Sequence, residues 1–334
     1  DSKVVVFPHR PSRIGGPGSF QTHLESKLVE DGHIVSYASD KIRVKPDTVL
    51  IVGGTRKVFW LLLQKLRGVR IVHRLDGKNW QESMANDGFL RMFKSRLINY
   101  LLWGIKSCLA DAVIYQSKFI ESIWNKKEFP DKSGSKRGHI IYNSVPLHIF
   151  YPIGKDCIKN NVFEIVCIEG NVKGSPAIKI LRSIHKLQVN VFGQVSNEVL
   201  DSFEKNPKTN ILFQGEVERD YVPRALSGFK IFLNLETNPP CPNAVIEALA
   251  AGVPVIGFDS GSLKELVGDG GIVLAYGSAN SWSLEPPDCE LLNNCIEDIT
   301  SNYGYYSQNA RKRAELMFSL DTMYQKYCEV LFKI

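Results

Sequence analysis

One stretch in the C-terminal half of the chain, residues 239–256, constrains the fold more than any other. It opens as a proline-rich loop, continues through strong helix formers at 244–251, and ends in an apolar run typical of a strand covered on both faces. Asn243 has the side chain of a good N-cap residue, and Glu247 is the single charge in the stretch. This loop–helix–strand unit predicts an α/β protein, in which Glu247 either faces the ligand-binding edge of the sheet or points to solvent.

The same alternation of short apolar runs with helical segments occurs twice along the 334 residues, a length that suggests two domains. Each half therefore predicts a parallel sheet with helices on both faces. Residues 143–152 lack periodicity and predict a linker, so we expect domains at 1–150 and 151–315. The predicted strands are 4–7, 34–38, 49–52, 69–74, 112–116 and 140–142 in the first half, and 163–168, 189–192, 211–213, 229–233 and 253–258 in the second.

A long helix is predicted at 89–109, and it is apolar over most of its circumference. Arg91, Ser95, Asn99 and Lys106 fall on one narrow polar face. This pattern favours a helix of the protein core over a helix lying in the plane of a membrane.

Charge and cysteine content narrow the class of protein. The net charge of +6 allows an anionic ligand or an anionic membrane surface, but it is too small to indicate nucleic-acid binding by itself. The seven cysteines are odd in number and contain no Cys-x-x-Cys pair, which argues against a disulfide framework and a structural zinc site. Because no apolar run reaches about 18 residues and the chain opens with a strand-like run, we expect a cytoplasmic protein.

Each half begins with a strand, a glycine-rich turn and a helix. The first turn is residues 15–18, and we expect the helix after it to begin at the capping residue Ser19. The second is residues 170–175, which adds the cation Lys173. Glycine lets the backbone approach a ligand, and the free N–H groups at a helix start bind anions. Either turn alone can be a tight connection without a ligand, whereas two at matched positions favour an anionic ligand in a cleft between the domains.

His73 stands at the end of a predicted strand, and Arg74 and Asp76 follow it. Functional side chains gather at such strand ends in α/β proteins, although a plain turn with an Arg–Asp pair gives the same pattern. No Asp-x-Asp pair indicates a divalent metal, and no Ser/His/Asp order indicates a nucleophile.

With these motifs in order, the chain resembles the GT-B glycosyltransferases of family 4, retaining enzymes that use nucleotide-activated sugars. The matching motifs are Gly15-Gly16, His73, Tyr142-Asn143-Ser144 with Phe150-Tyr151-Pro152, Gly170 with Lys173-Gly174, and Glu247 with the run from Gly252 to Ile256. The resemblance covers nearly the whole chain and implies two Rossmann-like domains with a cleft between them. It also implies that a C-terminal helix at about 316–334 packs back on the first domain.

The resemblance implies a role for each matching residue. Glu247 would hold the ribose hydroxyls, the helix start would meet the diphosphate, and the base would lie near Val217. His73 would touch the donor sugar, and the acceptor would enter on the side of Arg74 and Asp76. The donor-binding set is Gly15, Gly16, Asn171, Lys173, Val217, Pro242, Asn243, Ala244, Val245 and Glu247, of which Lys173 and Glu247 join His73 as the catalytic candidates. Neither a metal nor a cofactor is expected beyond the nucleotide-sugar donor, with a UDP-sugar such as UDP-glucose favoured.

Two departures from the family concern the phosphate and the sugar. Pro239 stands where the family has the first Glu of its Glu-x7-Glu motif, with Glu236, Thr237 and Asn238 as nearby replacements. The Arg of the phosphate turn is absent, and Asn171 stands closest to its place.

We expect a saccharide or lipid-linked saccharide acceptor in polysaccharide or glycolipid synthesis, with peripheral contact at the inner face of the membrane. A UDP-sugar epimerase of the same fold and a non-catalytic nucleotide-sugar-binding module are the alternatives.

Overall fold

A computed structural model describes residues 2–12, 16–40, 44–78, 89–125, 138–152 and 163–333. The chain forms two compact units. The first unit contains Asp1–Asn143 together with Leu320–Ile334, and the second contains Ser144–Ser319. The sequence had placed the corresponding boundaries at 150 and at about 315.

The first unit is built on a parallel sheet of six strands in the order β2-β1-β3-β4-β5-β6. The strands are β1 Val4–Phe7, β2 Ile34–Tyr37, β3 Thr48–Val52, β4 Arg70–Leu75, β5 Ala112–Tyr115 and β6 Gly138–Ile140. The helices between them are α1 Gly16–Glu30, α2 Val58–Leu66, α3 Phe89–Gly104 and α4 Lys118–Trp124.

The second unit repeats the plan with a parallel sheet in the order β12-β11-β10-β7-β8-β9. Its strands are β7 Ile165–Val172, β8 Val189–Val195, β9 Ile211–Gly215, β10 Ile231–Leu233, β11 Val255–Phe258 and β12 Gly271–Leu274. Its helices are α5 Gly174–Ser183, α6 Asn197–Lys205, α7 Val222–Ser227, α8 Asn243–Ala250, α9 Leu263–Val267, α10 Leu292–Ser301 and α11 Tyr303–Met317, and α12 Leu320–Phe332 then ends the chain in the first unit. The predicted class, two parallel sheets with helices, is confirmed.

Strand residues of the first unit alternate between two apolar cores. Val5 and Phe7 pack with α1 and α12 on one face of the sheet, whereas Val4 and Val6 pack with α2 and the end of α3 on the other. This is the two-residue period of a strand buried on both faces, and it explains why the strands read as continuous apolar runs. In the second unit, α5, α6 and α10 cover one face.

The long helix α3 continues into a π-helical turn, Ile105–Leu109. Its orientation differs from the one that its sequence pattern predicted. Ser95 and Asn99 are buried, while Phe93 and Leu97 are exposed. The polar side therefore faces inward and an apolar side faces outward, so the expectation of a plain core helix is wrong for that side. Buried polar groups are tolerated where they find partners. Lys106 does so, because its ammonium donates to Trp124 O at 3.1 Å and Asn125 Oδ1 at 2.8 Å.

Among the described helices, none combines the length and the apolar character needed to cross a membrane.

Candidate functional site

The candidate site residues of the second unit lie at the carboxyl edge of its sheet. In a parallel sheet all strands end at the same edge, and ligands bind there. The loops that leave β7, β9 and β10 carry Lys173, Arg219 and Glu236 respectively, and the β10 loop leads directly into α8.

The loop before α8 is held rigidly. Asn238 has a φ of +54°, and Gly261 opposite it has a φ of +63°. Pro239 O accepts hydrogen bonds from the backbone N–H and the Oγ–H of Ser262, both at 2.9 Å. A Cβ atom on Gly261 would lie 2.4 Å from Pro239 N, so only glycine fits against this loop. The position of α8 is therefore fixed by backbone contacts on its N-terminal side.

The helix α8 begins at Asn243, and Pro242 occupies the N-cap position with an extended backbone. The expectation of Asn243 as N-cap is thus wrong by one residue, because the φ of proline suits this position. The first hydrogen bond back to the cap joins Ile246 N and Pro242 O at 3.4 Å. Helix geometry leaves the N–H groups of Ala244 and Val245 without a carbonyl in the preceding turn. Such groups at the positive end of a helix dipole can bind an anion.

Glu247 lies one turn further along α8 and is only 3% exposed. Its carboxylate forms an ion pair with Arg219, which is about half exposed on the short turn after β9. Burial raises the pKa of Glu247, and the adjacent guanidinium acts in the opposite direction. Val217 lies half-buried in the same connection, two residues before Arg219. The ion pair between Arg219 and Glu247 therefore links the connection after β9, where the sequence predicts the nucleotide base, to the carboxylate that it predicts for the ribose.

The predicted glycine-rich turn at 170–175 is shorter than expected. β7 continues through Val172, and Asn171 pairs with Gln194 of β8 inside the sheet. Lys173 then occupies the N-cap of α5 and is exposed, and Gly174 turns the chain with a φ of +80°. Asn171 and Lys173 still lie at the carboxyl edge of the sheet, where β7 ends.

Two carboxyl groups, those of Glu169 and Glu236, lie close to each other near the end of β7. Glu169 in β7 accepts the backbone N–H groups of Leu235 at 2.5 Å and Glu236 at 2.8 Å on one oxygen. Burial raises the pKa of Glu169 to about 8, and the charge of Glu236 acts in the same direction. Glu236 is exposed as a residue, but partial desolvation of its carboxylate raises the pKa to about 7, and the charge of Lys173 opposes this.

Sequence reasoning considered Glu236 only as one of three replacements and missed Glu169. The available signal was a Glu inside an otherwise apolar strand, Ile165 to Glu169. The structure shows in addition that Gly193 of β8 packs against Glu169, because a Cβ atom there would lie 1.8 Å from Glu169 O. The backbone of the neighbouring strand thus packs directly against this residue.

In the first unit, His73 is fully buried within β4. Its Nε2 lies 2.8 Å from Gly53 O, an acceptor, so we assign the ring proton to Nε2. Burial lowers the pKa of His73 to about 4, so the imidazole is neutral at physiological pH. This hydrogen bond joins His73 of β4 to Gly53, the first residue after β3.

Arg74 is also buried, and it forms an ion pair with Asp76. Its guanidinium donates to Asn143 Oδ1 at 2.8 Å and to Gln116 Oε1 at 3.2 Å. This is the Arg–Asp pair that the sequence left open as the structural alternative. Asp76 remains partly exposed at the carboxyl edge of the sheet.

The remaining predicted residues of the first unit are the two glycines. Gly15 lies outside the described residues, and Gly16 is the first residue of α1. The helix begins three residues before the predicted cap at Ser19, so Gly16, Pro17 and Gly18 form its first turn. Proline is well suited to this turn, since its missing N–H has no helical acceptor there.

The structure thus brings Asn171, Lys173, Val217, the residues 242–245 and Glu247 to one edge of the second unit. His73, Arg74, Asp76 and Gly16 belong to the first unit. Within the described residues, no group of three or more His, Cys, Asp or Glu side chains is arranged to hold a metal ion.

Residues 175–286, which contain α8 and the loop before it, match the family model described as glycosyl transferases group 1. This segment is about a third of the chain, and its similarity to the glycosyl transferases of group 1 supports an enzyme of that kind. No curated protein sequence matches this chain.

Solved structures of similar fold cover both units of the chain. Sucrose-phosphate synthase from Thermosynechococcus elongatus is 15% identical, with a TM-score of 0.74 over 100% of this chain and 99% of that one. Anabaena Alr3699/HepE, solved in complex with UDP and glucose, is 16% identical, with a TM-score of 0.71 over 99% of this chain and 100% of that one. WaaG, a glycosyltransferase involved in lipopolysaccharide biosynthesis, is 16% identical, with a TM-score of 0.66 over 98% and 99%. These similarities confirm the predicted GT-B fold.

Proposed function

We propose that this glycosyltransferase moves a sugar from a UDP-sugar, such as UDP-glucose, to a saccharide or lipid-linked saccharide acceptor with retention of anomeric configuration. The observation that carries the proposal is the position of Glu247, a buried carboxylate one turn inside a helix that begins at the carboxyl edge of the sheet. Alr3699/HepE, which shares the fold, was solved with UDP and with UDP-glucose, and this supports UDP as the nucleotide.

The nucleotide is held in two parts in this proposal. Glu247 accepts hydrogen bonds from the two ribose hydroxyls, and the ion pair with Arg219 favours the ionised form of its carboxylate. The base lies against Val217 in the same connection. The diphosphate sits at the start of α8, beside Pro242 and Asn243 and at the N–H groups of Ala244 and Val245, with Lys173 and Asn171 on its other side.

Glu236 takes the place of the carboxylate that Pro239 removes. Of the three nearby candidates, Asn238 is buried with Oδ1 accepting from Ser281 Oγ at 3.0 Å, and Thr237 is half-buried beside Tyr276. Only Glu236 among these three has an exposed side chain. We assign Glu236 to the hydroxyls of the donor sugar, next to Lys173, the cation that we assign to the diphosphate.

Catalysis rests on stabilising the leaving diphosphate. As the bond from the sugar C1 to the phosphate oxygen breaks, charge develops on that oxygen, and fixed N–H groups with Lys173 stabilise it without reorganisation. The acceptor oxygen bonds to C1 from the same face, and its proton passes to the departing phosphate oxygen. The resemblance implies that His73 touches the donor sugar, whereas its complete burial favours a role in positioning the loop at Gly53.

The acceptor side belongs to the first unit, where we assign Asp76 to an acceptor hydroxyl and Arg74 to holding Asp76 in place. We further propose that the enzyme works in polysaccharide or glycolipid synthesis, in the cytoplasm, with peripheral contact at the inner face of the membrane.

A nucleotide panel tests the proposed donor. The melting temperature is measured with UDP, GDP and ADP and with their sugars, since a ligand at 100 times its dissociation constant stabilises the fold by about 2.7 kcal/mol. We expect UDP and a UDP-sugar to stabilise the protein and the other nucleotides to have little effect. Stabilisation by GDP or ADP alone would overturn the choice of UDP. The anomeric configuration of the product, read by NMR, then tests retention, and conversion of the UDP-sugar without any acceptor would indicate an epimerase instead.

A further inference from the structure

The outward side of α3 is apolar and exposed. Leu90, Phe93, Leu97 and Tyr100 are spaced three, four and three residues apart, which places them on one stripe of the helix. Leu90 is 82% exposed. Because Ser95, Asn99 and Lys106 occupy the buried side, this helix exposes the apolar residues that a helix of a water-soluble surface would bury.

The neighbouring helix α2 has the same property. Phe59 is 74% exposed and Leu66 is 76% exposed, and Leu62 and Leu63 are exposed between them. On the inner side, Leu61 of α2 packs in one apolar core with Leu101 and Ile105. Both helices therefore cover the same face of the first sheet, and both turn an apolar stripe away from it. We call these two outward stripes the apolar face.

The exposed charges on and beside the two helices are mainly basic. Residues 48–75 and 89–110 contain no Asp or Glu, although Arg74 and Lys106 are buried and Lys65 pairs with Asp111. Arg56 and Arg67 flank α2 and are exposed, as are Lys94 and Arg96 on α3. An exposed apolar area with a basic rim is typical of elements that lie in the interface of an anionic membrane.

We propose that the apolar face docks on an anionic lipid bilayer, with its aromatic and leucine side chains among the acyl chains and its basic side chains at the lipid phosphates. The positive charge around the apolar face favours a bilayer over a second copy of the chain. Two copies docked symmetrically would bring their basic side chains together. The inference rests on the membrane contact included in the proposed function and assigns that contact to particular helices.

Vesicle flotation without any nucleotide tests the docking surface. The wild-type protein is mixed with vesicles of phosphatidylglycerol and phosphatidylcholine in equal amounts, and separately with phosphatidylcholine alone. We expect binding to the anionic vesicles and at least tenfold weaker binding to the neutral ones. Wild-type protein that does not float with the anionic vesicles would overturn the proposal.

Two variants assign the binding to the apolar face. Phe59→Ser combined with Phe93→Ser removes apolar side chains, and Arg67→Glu combined with Lys94→Glu reverses charge on the rim. We expect each pair to weaken vesicle binding at least tenfold. The matched control is Leu316→Ser with Lys312→Glu, a pair of exposed residues on α11 of the second unit, which should float as the wild type does.

Each variant is checked for stabilisation by UDP, so that a failure of the docking surface is distinguished from a failure of the proposed donor. Wild-type vesicle binding by the Phe59→Ser/Phe93→Ser protein would contradict the proposal. A second result would also contradict it: light scattering shows that the wild type is a dimer and that this variant is a monomer. The apolar face would then be an interface with a second copy of the chain.

Discussion

Three glutamates at the edge of the second sheet differ in what balances their charge. Glu247 has the guanidinium of Arg219, Glu236 has the ammonium of Lys173 nearby, and Glu169 has two backbone N–H groups. Environment sets the role of a carboxyl group, since a nearby cation favours the ionised form and burial favours the protonated form. In our account Glu247 binds ribose, Glu236 binds the sugar, and Glu169 holds the backbone on which Glu236 stands.

Glu236→Gln should separate the sugar from the nucleotide. We expect UDP to bind as it does to the wild type, while UDP-glucose binds about tenfold more weakly, because one charge-assisted hydrogen bond of about 1.5 kcal/mol is lost. Calorimetric titration with each ligand measures both affinities. A variant that loses affinity for UDP and UDP-glucose equally, or for neither, would place Glu236 away from the sugar.

The raised pKa of Glu169 predicts that the stability of the fold depends on pH. Its folded pKa of about 8 lies above the value of an exposed Glu, so between about pH 4.5 and pH 8 the unfolded chain is ionised at this residue and the folded chain is not. Stability contributed by the protonated group is therefore lost as pH rises through this window.

Urea unfolding measured at pH 5 and pH 8 checks this pH dependence. The wild type should lose more stability between the two than Glu169→Gln does, and the exposed control Glu204→Gln should follow the wild type. Parallel curves for the wild type and Glu169→Gln would show that this carboxyl group does not titrate in the window.

At the scale of elements, apolar periodicity predicted most strands because the sheets are buried on both faces. It missed β12, whose four residues begin at Gly271, where a Cβ atom would lie 1.9 Å from Val255 O. It also misjudged α3, because periodicity separates a polar side from an apolar side without saying which side is buried. That choice depends on partners distant in sequence, such as the end of α4 for Lys106.

The last helix, α12, is an integral part of the first unit. Tyr327 and Leu331 are buried in its core, and Thr48 Oγ1 donates to Leu331 O at 2.8 Å. We expect Leu331→Ala to destabilise the first unit by about 2–4 kcal/mol, because it leaves a cavity against the sheet. Hydrogen exchange of β1 and β3 measures the effect, and Leu316→Ala, which is exposed on α11, serves as control. Unchanged exchange in these strands would contradict the assignment of α12 to this core.

At the scale of the whole molecule, the repeated alternation of strand and helix was sufficient to predict two parallel sheets. The site was less predictable. Lys173, Val217 and Glu247 share an edge, as their places at strand ends suggested, but the link between Arg219 and Glu247 joins residues 28 apart and follows from no local pattern. In the first unit, His73 and Arg74 turned out to be buried, because a strand end can serve packing as well as binding.

The central claim is that the second unit holds a uridine nucleotide by the carboxylate of Glu247. Calorimetric titration with UDP of the wild type, Glu247→Ala and the exposed control Glu204→Ala tests it, after circular dichroism shows that each protein is folded. The account predicts that UDP binds the wild type and the control alike and binds Glu247→Ala more than tenfold more weakly. Equal affinity of folded Glu247→Ala and the wild type for UDP would contradict it.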